Sequence, residues 1–202
     1  MTYPNFFKNV PTLTLQDPLA QTLGTFEKGM VTFEYLDVVK SAGHSCPTVG
    51  GAYLMTHHAL KALYNDVTPT RGNISVSFKE DVSEGVAGVI ANVITQLTGA
   101  ADIKGFKGLN GKFARHSLLH FNADIKASAR FTRVDTNESV DVVYNPNVVK
   151  PSASMMPLMQ KMLQGEASPE EIAQFGSLWQ ARVEAILIDN FNNAELIKIT
   201  KV

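Results

Sequence analysis

The alternation of hydrophobic and polar residues predicts a chain of mixed strands and helices. Residues 72–80, GNISVSFKE, alternate strictly and place Ile74, Val76 and Phe78 on one face, which is typical of a half-buried strand. Residues 30–39, MVTFEYLDVV, are rich in β-branched and aromatic side chains and predict another strand. Shorter patterns of the same kind predict strands within residues 116–121, 126–134, 139–144 and 195–202.

Helices are predicted where the apolar period lengthens and the end signals change. Pro47 suits the first turn of a helix that runs over residues 48–64. Asp81 and Glu84 have the spacing of a capping box, which predicts a second helix that starts there and stops at Gly99.

The pattern changes after Tyr144, where helices predominate. Residues 155–165 hold four of the seven methionines and predict a short helix. Residues 168–189 carry the strongest helix signals, with Ser168 as the cap and Glu171 three positions later. The chain is therefore predicted to be α+β, with helices packed on a mixed or antiparallel sheet in residues 1–146. Residues 147–202 are predicted to form a helical extension packed on that core or on a partner subunit.

Composition narrows the class of protein. The chain has 202 residues, of which 45% are hydrophobic and 18% charged, as in an ordinary soluble domain. The net charge of −1 gives no general attraction for nucleic acid or anionic lipid, and no apolar run reaches the ~18 residues that span a bilayer. The first residues lack the pattern of a secretory signal, so we expect a cytoplasmic protein. The single cysteine excludes an internal disulfide.

The stretch AGHSCPTVGGAYLMTHHALKAL, residues 42–63, concentrates the reactive side chains: it holds the only cysteine and three of the five histidines. His44 and Cys46 have H-x-C spacing, and imidazole and thiolate are ligands that zinc prefers. Cys46 falls at the start of the predicted helix, where the helix dipole favours a thiolate. The alternative is that Cys46 is a small buried hydrophobe and His44 an ordinary loop residue.

This stretch resembles the signature of the FmdE-like family of formylmethanofuran dehydrogenase subunits, in which Gly-His-x-Cys-Pro opens a helix of small residues. The segments ITQLTG, ARFTRVDTNESVDVVY and SPEEIAQFGSLWQARVEAIL are similar to other parts of that family, so the resemblance covers residues 30–188. It implies an α+β fold related to the catalytic domain of glyceraldehyde-3-phosphate dehydrogenase, a bound metal that is usually zinc, and a homodimer. His44 and Cys46 are the ligands that it implies.

The chain departs from the family pattern at two further ligand positions. Many relatives have a histidine where this chain has Ala42, and a cysteine close to Val89. We therefore expect His116 and His120, which share one face of either a helix or a strand, to complete the metal site. The alternative is that both lie on a solvated face.

Other polar residues are assigned lesser roles. His57 and His58 lie three turns beyond Cys46, too far along a helix to share its metal. The acidic residues near position 84 are interpreted first as helix caps. The alternative is that one of them acts as a metal ligand or a general base. The candidate outer residues of the site are Asp37, Lys40, Glu84 and Tyr53.

Three functions remain open from the sequence. The first is a metal-binding protein, with zinc or another divalent transition metal, whose open coordination position would polarise a small substrate or activate water. The second is a thiol enzyme in which Cys46 is the nucleophile. The third is a non-catalytic module that binds another chain through the methionine-rich helix and the helix of Trp179. The small-molecule ligand is not specified by any motif.

Overall fold

A computed structural model describes residues 2–202, which form seven strands and six α-helices. The strands are β1 (Leu13–Gln16), β2 (Met30–Phe33), β3 (Ile74–Phe78), β4 (Leu119–His120), β5 (Ala129–Arg133), β6 (Ser139–Tyr144) and β7 (Ile197–Lys201). The helices are α1 (Pro18–Thr22), α2 (Tyr35–Ala42), α3 (Pro47–Tyr64), α4 (Ala87–Thr98), α5 (Met155–Gln164) and α6 (Pro169–Glu184). Within residues 2–202, no helix combines the length and the apolar character that crossing a membrane requires.

The main sheet has the strand order β4-β3-β5-β6-β7, and a separate hairpin pairs β1 with β2. Only the β3–β4 pair is parallel, so the sheet is mixed. Val76, Phe131 and Val140 lie side by side across three strands and are all fully buried. The α+β class is confirmed, and so is the half-buried strand that the alternation of residues 72–80 predicts.

Helix α3 is the central element of the core. It begins at Pro47, as predicted, and packs on β5, β6 and β7 and against α4. Its side chains are buried around most of its circumference in the first three turns. A helix of this kind cannot be amphipathic, because it has neighbours on several sides.

The predicted strand over residues 30–39 is wrong beyond Phe33, because α2 begins at Tyr35. Glu34 and Asp37 form a reciprocal capping box, in which each side chain accepts a backbone N–H of the other residue. Gly43 ends the helix with a φ of 77°, a conformation that glycine adopts without strain. The β-branched residues of this stretch concealed the cap signal.

The start of the predicted second helix is also wrong. Helix α4 begins at Ala87, not at Asp81, and the preceding residues form a turn in which Gly85 has a φ of 54°. Asp81 accepts the N–H of Ser83 in that turn, and Val82 remains exposed. The predicted stop at Gly99 is confirmed, since this residue has the left-handed conformation.

Residues 147–202 contribute two helices and the final strand of the main sheet. The capping box at Ser168 is confirmed, and α6 continues into a single π-helical turn at Ala185–Asp189. Strand β7 pairs with β6, so this segment supplies one edge of the sheet. Val183 and Leu187 belong to the same buried cluster as α3. One hydrophobic core therefore extends across both sides of residue 146.

Candidate functional site

The loop between α2 and α3 places His44 and Cys46 at the start of the central helix. Cys46 is the N-cap of α3, and its Sγ accepts the backbone N–H of Val49 at 3.4 Å. Pro47 follows at the first helical position, where its missing N–H costs nothing. Cys46 is 8% exposed and is therefore buried.

Side chains from two other helices hold this loop through Ser45. The Oη of Tyr35 on α2 lies 3.0 Å from Ser45 Oγ. Trp179 and Gln180 on α6 each donate a side-chain N–H to the carbonyl oxygen of Ser45, at 3.0 and 3.1 Å. Because Ser45 lies between His44 and Cys46, these bonds fix the backbone that carries both candidate ligands.

A cavity of about 710 Å³ opens beside this loop, and we call it the central cavity. Phe78 on β3 and Ile90 on α4 give it apolar walls. The residues with polar or reactive side chains that line it are His44, Cys46, Thr48, Glu80, Glu84, Ser128, Tyr144, Trp179 and Arg182. The cavity therefore combines apolar surface with a few polar groups, as ligand sites usually do.

Tyr144 and Arg182 set the electrostatics of the central cavity. Tyr144 Oη donates to the carbonyl oxygen of Pro47 at 2.7 Å. Burial raises the pKa of Tyr144, although the charge of Arg182 opposes that shift, so the phenol stays neutral. Arg182 donates from Nε to Val149 O at 2.8 Å and from Nη2 to Pro146 O at 3.2 Å. Its charge is therefore held by backbone carbonyl groups.

A second cavity of about 460 Å³, here the side cavity, shares His44 with the central cavity. Ala42, His44 and Val89 all line it, together with Asn92. His44 Nδ1 lies 3.0 Å from Ala42 O, which leaves Nε2 as the nitrogen without a protein partner among residues 2–202. Ala42 and Val89 thus line the same cavity as His44.

His116 and His120 are not brought to His44 and Cys46, because neither lines the central or the side cavity. His116 Nδ1 lies 3.0 Å from Ser117 Oγ, and His120 is exposed on β4. Within the part of the chain that the structure describes, no three His, Cys, Asp or Glu side chains are grouped to hold a metal ion. Among residues 2–202, His44 and Cys46 therefore do not form a ready-made metal site with a third side chain of these types.

The candidate outer residues are separated by the fold. Glu84 lines the central cavity, whereas Asp37 caps α2 and Lys40 lines a different cavity beside Ser45. Tyr53 is fully buried and donates its hydroxyl proton to Pro11 O at 2.7 Å. Of these four residues, only Glu84 lies where it can face a ligand beside His44 and Cys46.

His57 and His58 form a separate cluster around Phe191. His58 Nε2 lies 2.7 Å from Phe191 O, and the ring of His57 meets that of Phe191 edge-on at 5.0 Å. Burial lowers the pKa of His57 to about 4, and His58 and Lys61 add to the effect. Both histidines are neutral packing residues at pH 7.

Sequence reasoning missed Tyr144 and Arg182, and it gave the helix of Trp179 only a role in packing on the core or in binding another chain. One signal was available, since Trp179 and Arg182 are three residues apart and so share a face of α6. Tyr144 gave no signal, because a tyrosine at the end of a strand is common and only the tertiary fold brings it to Cys46.

No family model matches this sequence, and the search of curated proteins found no significant match. The resemblance to the FmdE-like family therefore stays a prediction that depends on the residues quoted for it.

Proposed function

We propose that this protein binds a divalent transition metal ion, with zinc as the first candidate, through His44 and Cys46. The observation that carries the proposal is that both side chains line the central cavity from a loop held by Tyr35 and Trp179. Imidazole nitrogen and thiolate sulfur are the donor types that zinc prefers. The same cavity has room for a small molecule beside the metal.

The donor atoms of His44 and Cys46 are of the types that bind such an ion, but two protein ligands are fewer than a zinc site usually has. Structural zinc sites have four protein ligands and catalytic sites have three. Here the protein supplies two ligands of the favoured types, so the remaining positions belong to water, to a bound molecule or to a second copy of the chain. The chain's own contribution is to hold the two donors and to shape the cavity.

The side cavity supports the resemblance on which the choice of metal depends. Ala42 and Val89 are the two positions where many relatives in the FmdE-like family have further ligands, and both face the space beside His44. His44 is the residue that lines both cavities, whereas Cys46 lines the central cavity alone.

The test is the metal content of untagged, as-purified protein, measured by elemental mass spectrometry. We expect about one metal ion per chain in the wild type and little in Cys46→Ser or His44→Ala, because each removes one of two protein ligands. The matched control is His116→Ala/His120→Ala, which we expect to keep its metal. A wild-type protein without stoichiometric metal, even after reconstitution with zinc, nickel or iron, would overturn the proposal.

A second candidate function is thiol chemistry at Cys46. It is favoured by the contact of Cys46 Sγ with the N–H of Val49, because a helix N-terminus stabilises a thiolate. Rapid alkylation of metal-free protein by iodoacetamide, with zinc giving no protection, would favour this function over metal binding. A cytoplasmic location and a homodimer stay predictions.

A further inference from the structure

Arg182 is a cation in the wall of the central cavity without a carboxylate partner. Among residues 2–202, no Asp or Glu oxygen lies within 4.0 Å of its guanidinium group. Its Nε and Nη2 donate to two backbone carbonyl oxygens, and its Nη1 has no hydrogen-bond partner in the described chain. The other arginines of the chain differ from it in this respect, since Arg71, Arg115, Arg130 and Arg133 each contact an aspartate.

The surroundings of Arg182 define the rest of a ligand. Phe78, Ile90 and Trp179 line the same cavity and offer apolar and aromatic surface. Glu80 and Glu84 also line it, but neither carboxylate lies within 4.0 Å of Arg182, so an anionic group is favoured only beside that guanidinium. A half-buried guanidinium beside apolar walls is the arrangement that recognises a carboxylate on an apolar body.

We propose that the central cavity binds a small monocarboxylic acid, with its carboxylate on Arg182 and its apolar part against Trp179. This inference deepens the proposed function and rests on it, because both place a ligand in the central cavity. It does not require that a metal ion is bound there. Tyr144 and Cys46 line the same cavity as Arg182, and the Tyr144 hydroxyl bonds the carbonyl oxygen of Pro47, next to Cys46. An acid bound at Arg182 therefore shares its cavity with the proposed metal ligands.

The test uses the fluorescence of Trp179, which is the only tryptophan in the chain. The probes are hexanoate, hexanamide, hexylamine and inorganic phosphate, each titrated at pH 7 and constant ionic strength into metal-free and zinc-loaded protein. We expect hexanoate to half-saturate the signal at a concentration about ten-fold lower than hexanamide, because a charge-assisted hydrogen bond replaces a neutral one. Hexylamine should bind more weakly still, because its positive charge is repelled by Arg182. Phosphate should also bind more weakly, because it has no apolar part to contact Trp179.

Variants then assign the preference to Arg182. In Arg182→Met, hexanoate and hexanamide should become equal while the hexanamide response persists, which shows that the cavity is intact. Arg130→Met, which removes an arginine paired with Asp141 on the sheet, should keep the ten-fold preference. If Arg182→Met does not fold, the wild-type comparison still tests whether a negative charge is required.

Several results would overturn the inference. These are equal responses to hexanoate and hexanamide in the wild type, a preference that survives in Arg182→Met, phosphate binding as tight as that of hexanoate, and no hexanoate response up to about 10 mM, the range of a weak ligand. The metal-free titration separates this failure from failure of the metal proposal, because the hexanoate preference should hold without zinc, whereas metal content alone tests zinc binding.

Discussion

The ring of Tyr144 lies directly against the backbone of Gly51, where a Cβ atom would overlap the ring. The contact joins β6 to the second turn of α3, and the Tyr144 hydroxyl bonds Pro47 O in the first turn. One side chain thus fixes the helix end that carries Cys46 against the sheet. The glycine is required there because the helix and the ring approach within a distance that no side chain allows.

Gly51→Ala should destabilise the protein despite the better helix propensity of alanine. The new methyl group must displace the Tyr144 ring, which is buried and hydrogen-bonded, and overpacking of this kind costs about 1–3 kcal/mol. The free energy of unfolding, measured by urea denaturation, should fall by that amount. The displaced ring should also alter the fluorescence of Trp179 in the same cavity.

Gly50→Ala is the matched control for that variant. Its Cβ would meet the side chain of Leu187 at 3.4 Å, an ordinary contact, in the same helix and one residue away. Alanine in a helix interior is favoured over glycine by up to about 1 kcal/mol, so this variant should be as stable as the wild type or more so. Equal effects of the two substitutions would show that the Tyr144 contact is not the cause.

Local signals predicted those elements whose ends are marked by the chain itself. Pro47, Gly99 and Ser168 each specify a helix end by backbone chemistry that tertiary structure does not alter. The alternation of residues 74–78 likewise specified a strand with one buried face. The error at α2 arose because β-branched residues favour strands in general, while the capping box of Glu34 and Asp37 decides this segment.

The candidate site was less predictable because it is assembled from distant segments. His44 and Cys46 are two residues apart, so one loop brings them together whatever the rest of the fold. Tyr144 and Arg182 reach the same cavity only through the packing of β6 and α6 on α3. His116 and His120 were chosen by residue type, and nothing in their local sequence says which side of the sheet they occupy.

Ala42→His/Val89→Cys should create a stronger metal site beside His44. Both positions line the side cavity with His44, and their replacement adds a nitrogen and a sulfur donor of the types that zinc prefers. We expect zinc affinity to rise at least about ten-fold over the wild type, the usual scale for a single ligand interaction. Competition with a chromophoric chelator measures the change.

The contribution of His44 to that designed site needs its own control. The same double substitution in a His44→Ala background should bind zinc more weakly, because one of the shared ligands is gone. An affinity that is independent of His44 would mean that the new residues bind metal elsewhere. An affinity equal to that of the wild type would contradict the resemblance that points to positions 42 and 89.

Asp17→Ala should be strongly destabilising, because Asp17 is the one acid in a buried group with two arginines. Its carboxylate bonds Arg115 at 2.7 Å and Arg71 at 3.0 Å, and it also caps α1. Burial raises the pKa of Asp17, but the bonds to Arg115, to the Ala20 N–H and to Arg71 outweigh it and leave the pKa lowered. Loss of the acid leaves two cations uncompensated, at a cost of about 3–5 kcal/mol.

Asp135→Ala is the control variant for Asp17→Ala, and the quantity compared is the loss in the free energy of unfolding. Asp135 also pairs with an arginine, Arg133, at 2.7 Å, but its side chain is 44% exposed. Such surface pairs contribute about 0–1 kcal/mol, because water replaces the lost partner. Thermal or urea unfolding of both variants should show the large difference. Similar losses would indicate that the Asp17 group is more hydrated than its burial implies.

Acidification should destabilise the fold through His57. Burial, together with the charges of His58 and Lys61, lowers its pKa from 6.5 to about 4, so the folded protein holds fewer protons than the unfolded chain between these values. This contribution of His57 to the free energy of unfolding is fully present above pH 6.5. It is lost as the pH falls toward 4, by at most about 3 kcal/mol.

His57→Leu should flatten the slope of the unfolding free energy against pH, leaving the smaller contribution of His58, whose pKa is also lowered by burial. His116→Gln, at a histidine outside the core, should keep the full slope, and an unchanged slope in His57→Leu would place the acid sensitivity elsewhere.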